Sequence, residues 1–185
     1  CMNLVALFSG KAYNMICELL GANWYAVLAT VGLGALAVCH IVYAFILTAQ
    51  NRRARGNERY AVTEKPASVE WASQNMLVLG IIVLLGLGLH FFNFWYNMMF
   101  AELMHMEMKF SPSDGFAYII WICALWFHLS HGFWSAMQTV GINGKVWFNR
   151  WKTIGLVYVT LLMLGFFVVV IAFAFGCAPS LHCAA

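Results

Sequence analysis

The sequence predicts an all-α integral membrane bundle, and three observations predict it. Only 9% of the 185 residues are charged while 63% are hydrophobic, against roughly 25% charged in a soluble domain. Residues 19–51, 71–101, 115–144 and 153–185 contain no charge at all, and each stretch exceeds the ~20 residues a helix needs to cross ~30 Å of hydrocarbon. None of them alternates between apolar and polar residues, as the ~10-residue segments of a membrane β-barrel must. A water-soluble fold is therefore excluded. Six Cys in so apolar a chain do not form the framework of a small secreted domain.

The elements follow in chain order. Residues 1–10, CMNLVALFSG, are apolar but too short to span, and they have neither the basic start nor the cleavage site of a signal peptide. They read as the outer end of a first transmembrane helix whose beginning precedes this N-terminally incomplete sequence; a processed lipoprotein Cys1 is the competing reading. Four complete spans are expected at about residues 23–49, 74–97, 116–140 and 153–176, joined by short connections in a single transmembrane domain, 1–185.

Orientation follows from the basic residues. Eight Lys or Arg fall in the connections after the first and third complete spans, including Arg52, Arg53, Arg55, Arg59, Lys65, Lys145, Arg150 and Lys152, and only Lys11 and Lys109 fall on the other side. Segments 51–70 and 141–152 are therefore expected in the cytoplasm. Trp71, Trp147 and Trp151 on the inner side, and Trp24, Trp95 and Tyr96 on the outer, supply aromatic belts at both interfaces.

Four of the six His lie inside spans: His40, His90, His128 and His131. An ionisable side chain at membrane depth is costly and marks a site. His40 precedes Gln50, and His128 precedes Gln138, by ten residues, so both lie about 15 Å from the inner surface. His90 follows Gln74 by sixteen residues, about 24 Å from that surface. Two neutral imidazoles at one level on separate helices are what six-coordinate haem iron requires on its axial positions. Gly86 and Gly132, each four residues from a His, leave the neighbouring turn without a side chain. The competing readings are a His that bonds across helices and a Gly that serves helix packing. Depth alone does not separate His128 from His131.

At these residues the sequence resembles the di-haem cytochrome b membrane anchor of succinate:quinone oxidoreductases, the succinate dehydrogenases and fumarate reductases, in the single-subunit form with five helices. The resemblance runs from CMNLVALFSG to the last span and is closest in CHIVYAFILTAQNRRARGNERYAV, WASQNMLVLGIIVLLGLGLHFFNFW and WFHLSHGFWSAMQTVGIN. It implies that His40 and His128 hold an inner haem b. His90 would hold an outer haem with a first-helix His that this sequence lacks, leaving one complete haem site of the two. It implies electron transfer between an iron–sulfur subunit, which works with a flavoprotein subunit, and membrane quinone, with menaquinone the expected one. This chain would be the electron-transfer subunit of the enzyme, carrying no catalytic residue of the dehydrogenase reaction. The resemblance also implies residence in a bacterial cytoplasmic membrane and admits a dimer of complexes. Nucleic acid is not among the implied partners. Some relatives have a carboxylate two residues before the fourth-helix ligand; Trp126 stands there instead.

A quinone pocket needs apolar walls and a few polar groups able to bond the carbonyl oxygens, and Glu18, with Asn14 and Asn23, is the outer-side candidate. Arg52, Arg53, Arg55 and Arg59, with PASVEWASQN, where Pro66 can open a short helix, are candidates for docking the iron–sulfur subunit. Topology and anionic lipid are their alternative roles. Cys177 and Cys183 could close a disulfide in the tail. Two other functions compete with this reading: the cytochrome b anchor of another respiratory oxidoreductase, and a transporter whose membrane His relay protons.

Overall fold

A computed structural model describes residues 3–21, 23–56, 70–96, 112–142 and 144–174. The described residues are helical apart from caps and turns. The helices are α1 (Asn3–Phe8), α2 (Gly10–Gly21), α3 (Trp24–Arg55), α4 (Trp71–Gln74), α5 (Met76–His90), α6 (Pro112–Thr139) and α7 (Lys145–Ala174), and α5 runs on into a π-helical turn, Phe91–Tyr96. Four helical stretches are long and apolar enough to cross a membrane: Trp24–Arg55, Met76–Asn93, Ser113–Thr139 and Lys145–Ala174. These are the four expected spans.

Contacts divide the chain into two compact units, Lys11–Ser68 and Cys1–Gly10 with Val69–Ala185. In the first, α2 occupies much of the connection that precedes the first complete span. It is amphipathic, with Ala12, Tyr13 and Ile16 half-buried and Lys11, Asn14 and Glu18 exposed, the spacing that divides a helix into two faces. Asn23 then caps α3, its side-chain oxygen accepting the Tyr25 N–H at 3.0 Å, which satisfies one of the free donors at a helix start. The 32 residues of α3 extend for roughly 48 Å, so the helix outruns the hydrocarbon. Its end carries Arg52, Arg53 and Arg55, where positive charge suits the negative end of the helix dipole. None of its side chains is buried, and Leu33 is 70% exposed; so apolar a surface belongs against lipid or another apolar helix.

In the second unit, α6 packs between α5 and α7, and α1 packs on α7. Tyr118 and Ile122 on α6 meet Val159, Met163 and Val170 on α7, residues spaced so that one stripe of each helix faces the other. Gly155 continues the α7 stripe by one turn and receives the Phe133 ring so closely that an added Cβ would strike it. Ala72 and Leu79 meet Ala124 in a smaller cluster on the other side of α6. Gly141, at φ 87°, ends α6 in a left-handed conformation that glycine adopts without a Cβ penalty. The Ile142 N–H returns to the Met137 carbonyl and the Gly141 N–H to that of Gln138, both at 3.0 Å, closing the last turn as a Schellman motif.

Candidate functional site

Each membrane-depth histidine sits on a spanning helix, but their surroundings differ. His40 lies on the exposed surface of α3. His128 is half-buried on α6 with its ring facing Gly80 of α5; a Cβ on that glycine would stand 3.7 Å from the His128 Cε1. His90 ends α5 immediately before the π-helical turn, a helix form frequent at functional sites. Its ring lies 5.6 Å from that of Trp121 and 6.2 Å, edge-on, from that of Tyr118.

The two glycines expected to leave room beside these rings have unlike neighbours. A Cβ at Gly132 would meet nothing within 4 Å. At Gly86 it would fall inside the Trp121 indole, and the indole Nε1 donates to the Val83 carbonyl at 3.0 Å. Gly86 therefore seats an aromatic ring of this chain between α5 and α6. Trp126, where some cytochrome anchors have a carboxylate, donates from Nε1 to Thr160 Oγ1 at 2.9 Å.

His131 has a separate engagement. Its Nδ1 lies 3.2 Å from Glu70 Oε2, and its ring meets Trp134 edge-on at 4.8 Å. The second Glu70 oxygen accepts from Lys152 Nζ at 2.6 Å, and that ammonium stands 4.4 Å from the Trp134 ring centre and 5.1 Å from that of Phe148, within cation–π range. The hydrogen bond from Lys152 holds the Glu70 carboxyl below the usual carboxylate range against a smaller opposing effect of burial, with His131 adding to the lowering. Three segments, the start of α4, the C-terminal half of α6 and the beginning of α7, thus meet on one carboxylate. This cluster was not foreseen in the sequence; the one available signal was an acidic residue, Glu70, at the end of PASVE beside the start of a span.

Next to the cluster is an open cleft of about 380 Å³. Its walls include Trp71, Trp126, Phe127 and Trp134, and its polar lining includes Ser130 and Lys152. Trp71 and Phe127 face each other with ring centres 5.1 Å apart.

The remaining candidates lie elsewhere. Glu18 and Asn14 are exposed on α2, and Asn23 is engaged as the α3 cap. Arg52, Arg53 and Arg55 are exposed in the last turn of α3. Within PASVEWASQN the described helix is α4, which begins at Trp71 rather than at Pro66; Pro66 lies outside the described residues, as do Arg59, Lys65, Lys109, Cys177 and Cys183. Among the described residues, Cys17, Cys39 and Cys123 are free thiols. No group of three or more His, Cys, Asp or Glu there could hold a bare metal ion, a requirement distinct from the two axial imidazoles of a haem.

Comparison with protein-family models, with curated proteins and with solved structures yields no match. Fold and composition define the class: an all-α, multi-pass membrane protein, with four spans among the described residues. Within that class, its most distinctive chemistry is the set of imidazoles at membrane depth.

Proposed function

We propose that the chain is a cytochrome b membrane anchor of the succinate dehydrogenase and fumarate reductase type, passing electrons between an iron–sulfur subunit and membrane quinone, in a bacterial cytoplasmic membrane. The observation that carries the reading is the pair His40 and His128: two imidazoles on separate spans, each ten residues from the glutamine that marks the inner boundary. The donor set fits a haem, since neutral imidazole nitrogen is an ordinary axial ligand, and the turn beside His128 is clear at Gly132. When bound, haem b would supply one-electron redox chemistry.

The protein's own contribution is to fix two imidazole nitrogens, exclude water by apolar walls and set the surrounding dielectric. Of the two His in HLSHG, the resemblance assigns the ligand role to His128; the Glu70 carboxylate at His131 Nδ1 ties that ring to the Glu70–Lys152 cluster. His90, on a third span, is the candidate for a second haem. The exposed arginines at the end of α3 suit an acidic docking face or anionic headgroups, and the flavoprotein and iron–sulfur subunits would associate on that side.

A reduced-minus-oxidised absorbance spectrum of the purified chain tests the proposal. A b-type spectrum is expected, lost in His40→Ala and in His128→Ala and kept in His131→Ala. Absence of any haem spectrum in the unmodified chain overturns the reading in favour of a proton-coupled transporter. Haem retained in His128→Ala and lost in His131→Ala reverses the assignment within HLSHG.

A further inference from the structure

We propose that α2 is a membrane-surface helix: its apolar stripe, from Met15 round to Tyr13, is seated in lipid at the boundary between headgroups and acyl chains, while Lys11, Asn14 and Glu18 face water. The proposal is independent of the haem reading, because it concerns only the approach to α3.

Length and pattern exclude a span. The 12 residues of α2 extend about 18 Å, against ~30 Å of hydrocarbon, and they include both Lys11 and Glu18. At 3.6 residues per turn, Lys11, Asn14 and Glu18 fall within about 60° of one another. Met15, Leu19, Ala12, Ile16, Leu20 and Tyr13 follow one another round the next ~160°, a stripe wide enough to call for burial. Yet Met15 is 66% and Leu19 68% exposed, and among the described residues no other helix packs along α2.

The corner that joins α2 to α3 identifies what covers the stripe. The Asn23 N–H donates to the Leu20 carbonyl at 3.3 Å, and its side-chain oxygen accepts the Tyr25 N–H at 3.0 Å. One residue is thus bonded to the last turn of α2 and to the first turn of α3, so the two turns share a level. That level is the edge of the bilayer, because α3 is long and apolar enough to span and opens with Trp24 and Tyr25, 61% and 63% exposed with ring centres 3.6 Å apart. Amphipathic rings of this kind gather where hydrocarbon meets water. An apolar stripe held at that depth meets acyl chains, into which such helices sink by ~5–10 Å. The polar stripe has one cation, Lys11, and one anion, Glu18, so burial of apolar area drives the seating and anionic lipid adds little.

Nitroxide labels placed one at a time at Lys11, Asn14, Met15, Glu18 and Leu19 test this in the full chain, with its own six cysteines replaced, in phosphatidylcholine vesicles. Collision with oxygen, which concentrates in hydrocarbon, is compared with collision with a water-soluble nickel chelate. The oxygen-to-nickel ratio should be several-fold higher at Met15 and Leu19 than at the other three positions, and should not change when phosphatidylglycerol is added to the vesicles. Equal ratios at every position overturn the proposal. So do labels at Met15 and Leu19 that are shielded from both reagents, which would put a protein surface over the stripe, and a periodic ratio that appears only with phosphatidylglycerol. A second measurement leaves the cysteines in place and decides the matter if the cysteine-free chain does not fold. On irradiation, p-benzoylphenylalanine in place of Leu19 should cross-link to phospholipid, and in place of Glu18 it should not; capture of protein but no lipid at Leu19, or equal capture of lipid at both positions, overturns the proposal.

Discussion

Replacing Gly86 by Ala tests the packing of α5 on α6 with opposite signs for two physical effects. Helix propensity alone favours Ala over Gly by about 0.5–1 kcal/mol. The structure predicts the reverse, because the new methyl would fall inside the Trp121 ring. Overpacking of this kind costs about 1–3 kcal/mol, and a displaced indole also gives up its bond to the Val83 carbonyl, about 1 kcal/mol more. The net effect is a destabilisation of about 2 kcal/mol, roughly a 30-fold fall in the ratio of folded to unfolded protein. Titration of the micellar protein with sodium dodecyl sulfate, followed by circular dichroism and tryptophan emission, measures it. Trp121→Phe in the Gly86→Ala background should recover part of the loss, leaving a coupling of at least 0.5 kcal/mol in the double-mutant cycle. A Gly86→Ala protein that is more stable than the parent, with unaltered emission, would refute the reasoning. Loss of haem without loss of stability would assign Gly86 to the cofactor's side of the ledger.

Three further outcomes are expected. Because folding lowers the Glu70 pKa, its bond to Lys152 contributes fully above the ordinary carboxylate value of 4.5 and is lost as pH falls through the lower folded value; Glu70→Gln should remove that acid-side loss of stability in a pH series. At neutral pH the same variant should cost about 1 kcal/mol or less, since the carboxylate is partly exposed, as read by the same denaturation. Thr160→Val leaves the Trp126 N–H without its acceptor and should destabilise the α6–α7 pair by about 1–3 kcal/mol, where Thr160→Ser should be nearly neutral.

The spans were legible because bilayer thickness imposes a length on any uncharged stretch, and all four helices fall where the charge gaps put them. Their ends were less so. The sequence reading stopped the first complete span near residue 49, but α3 continues to Arg55, since arginine is a good helix former and the backbone needs no hydrocarbon to stay helical. Similarly, α7 starts at Lys145, eight residues before the expected span. The amphipathic α2 was missed because attention to charge gaps passes over a short helix that carries Lys11 and Glu18. Side-chain partners were the least legible. Glu70 and Lys152 are 82 residues apart, and no local pattern announces that the chain brings them together. Gly86 illustrates the same limit: its spacing from His90 suggested vacant space, while the residue that fills it, Trp121, comes from another helix.

The sharp reversal at Gly141 has a consequence for how the protein enters the bilayer. Only residues 140–144 separate α6 from α7, too short a tether for the two rods to be threaded and parked independently. They should leave the translocation machinery as one clasped hairpin, already zipped along Gly155 and Val159 before the earlier segments dock. A polypeptide restricted to 112–174 is then expected to insert and keep the α6–α7 seam.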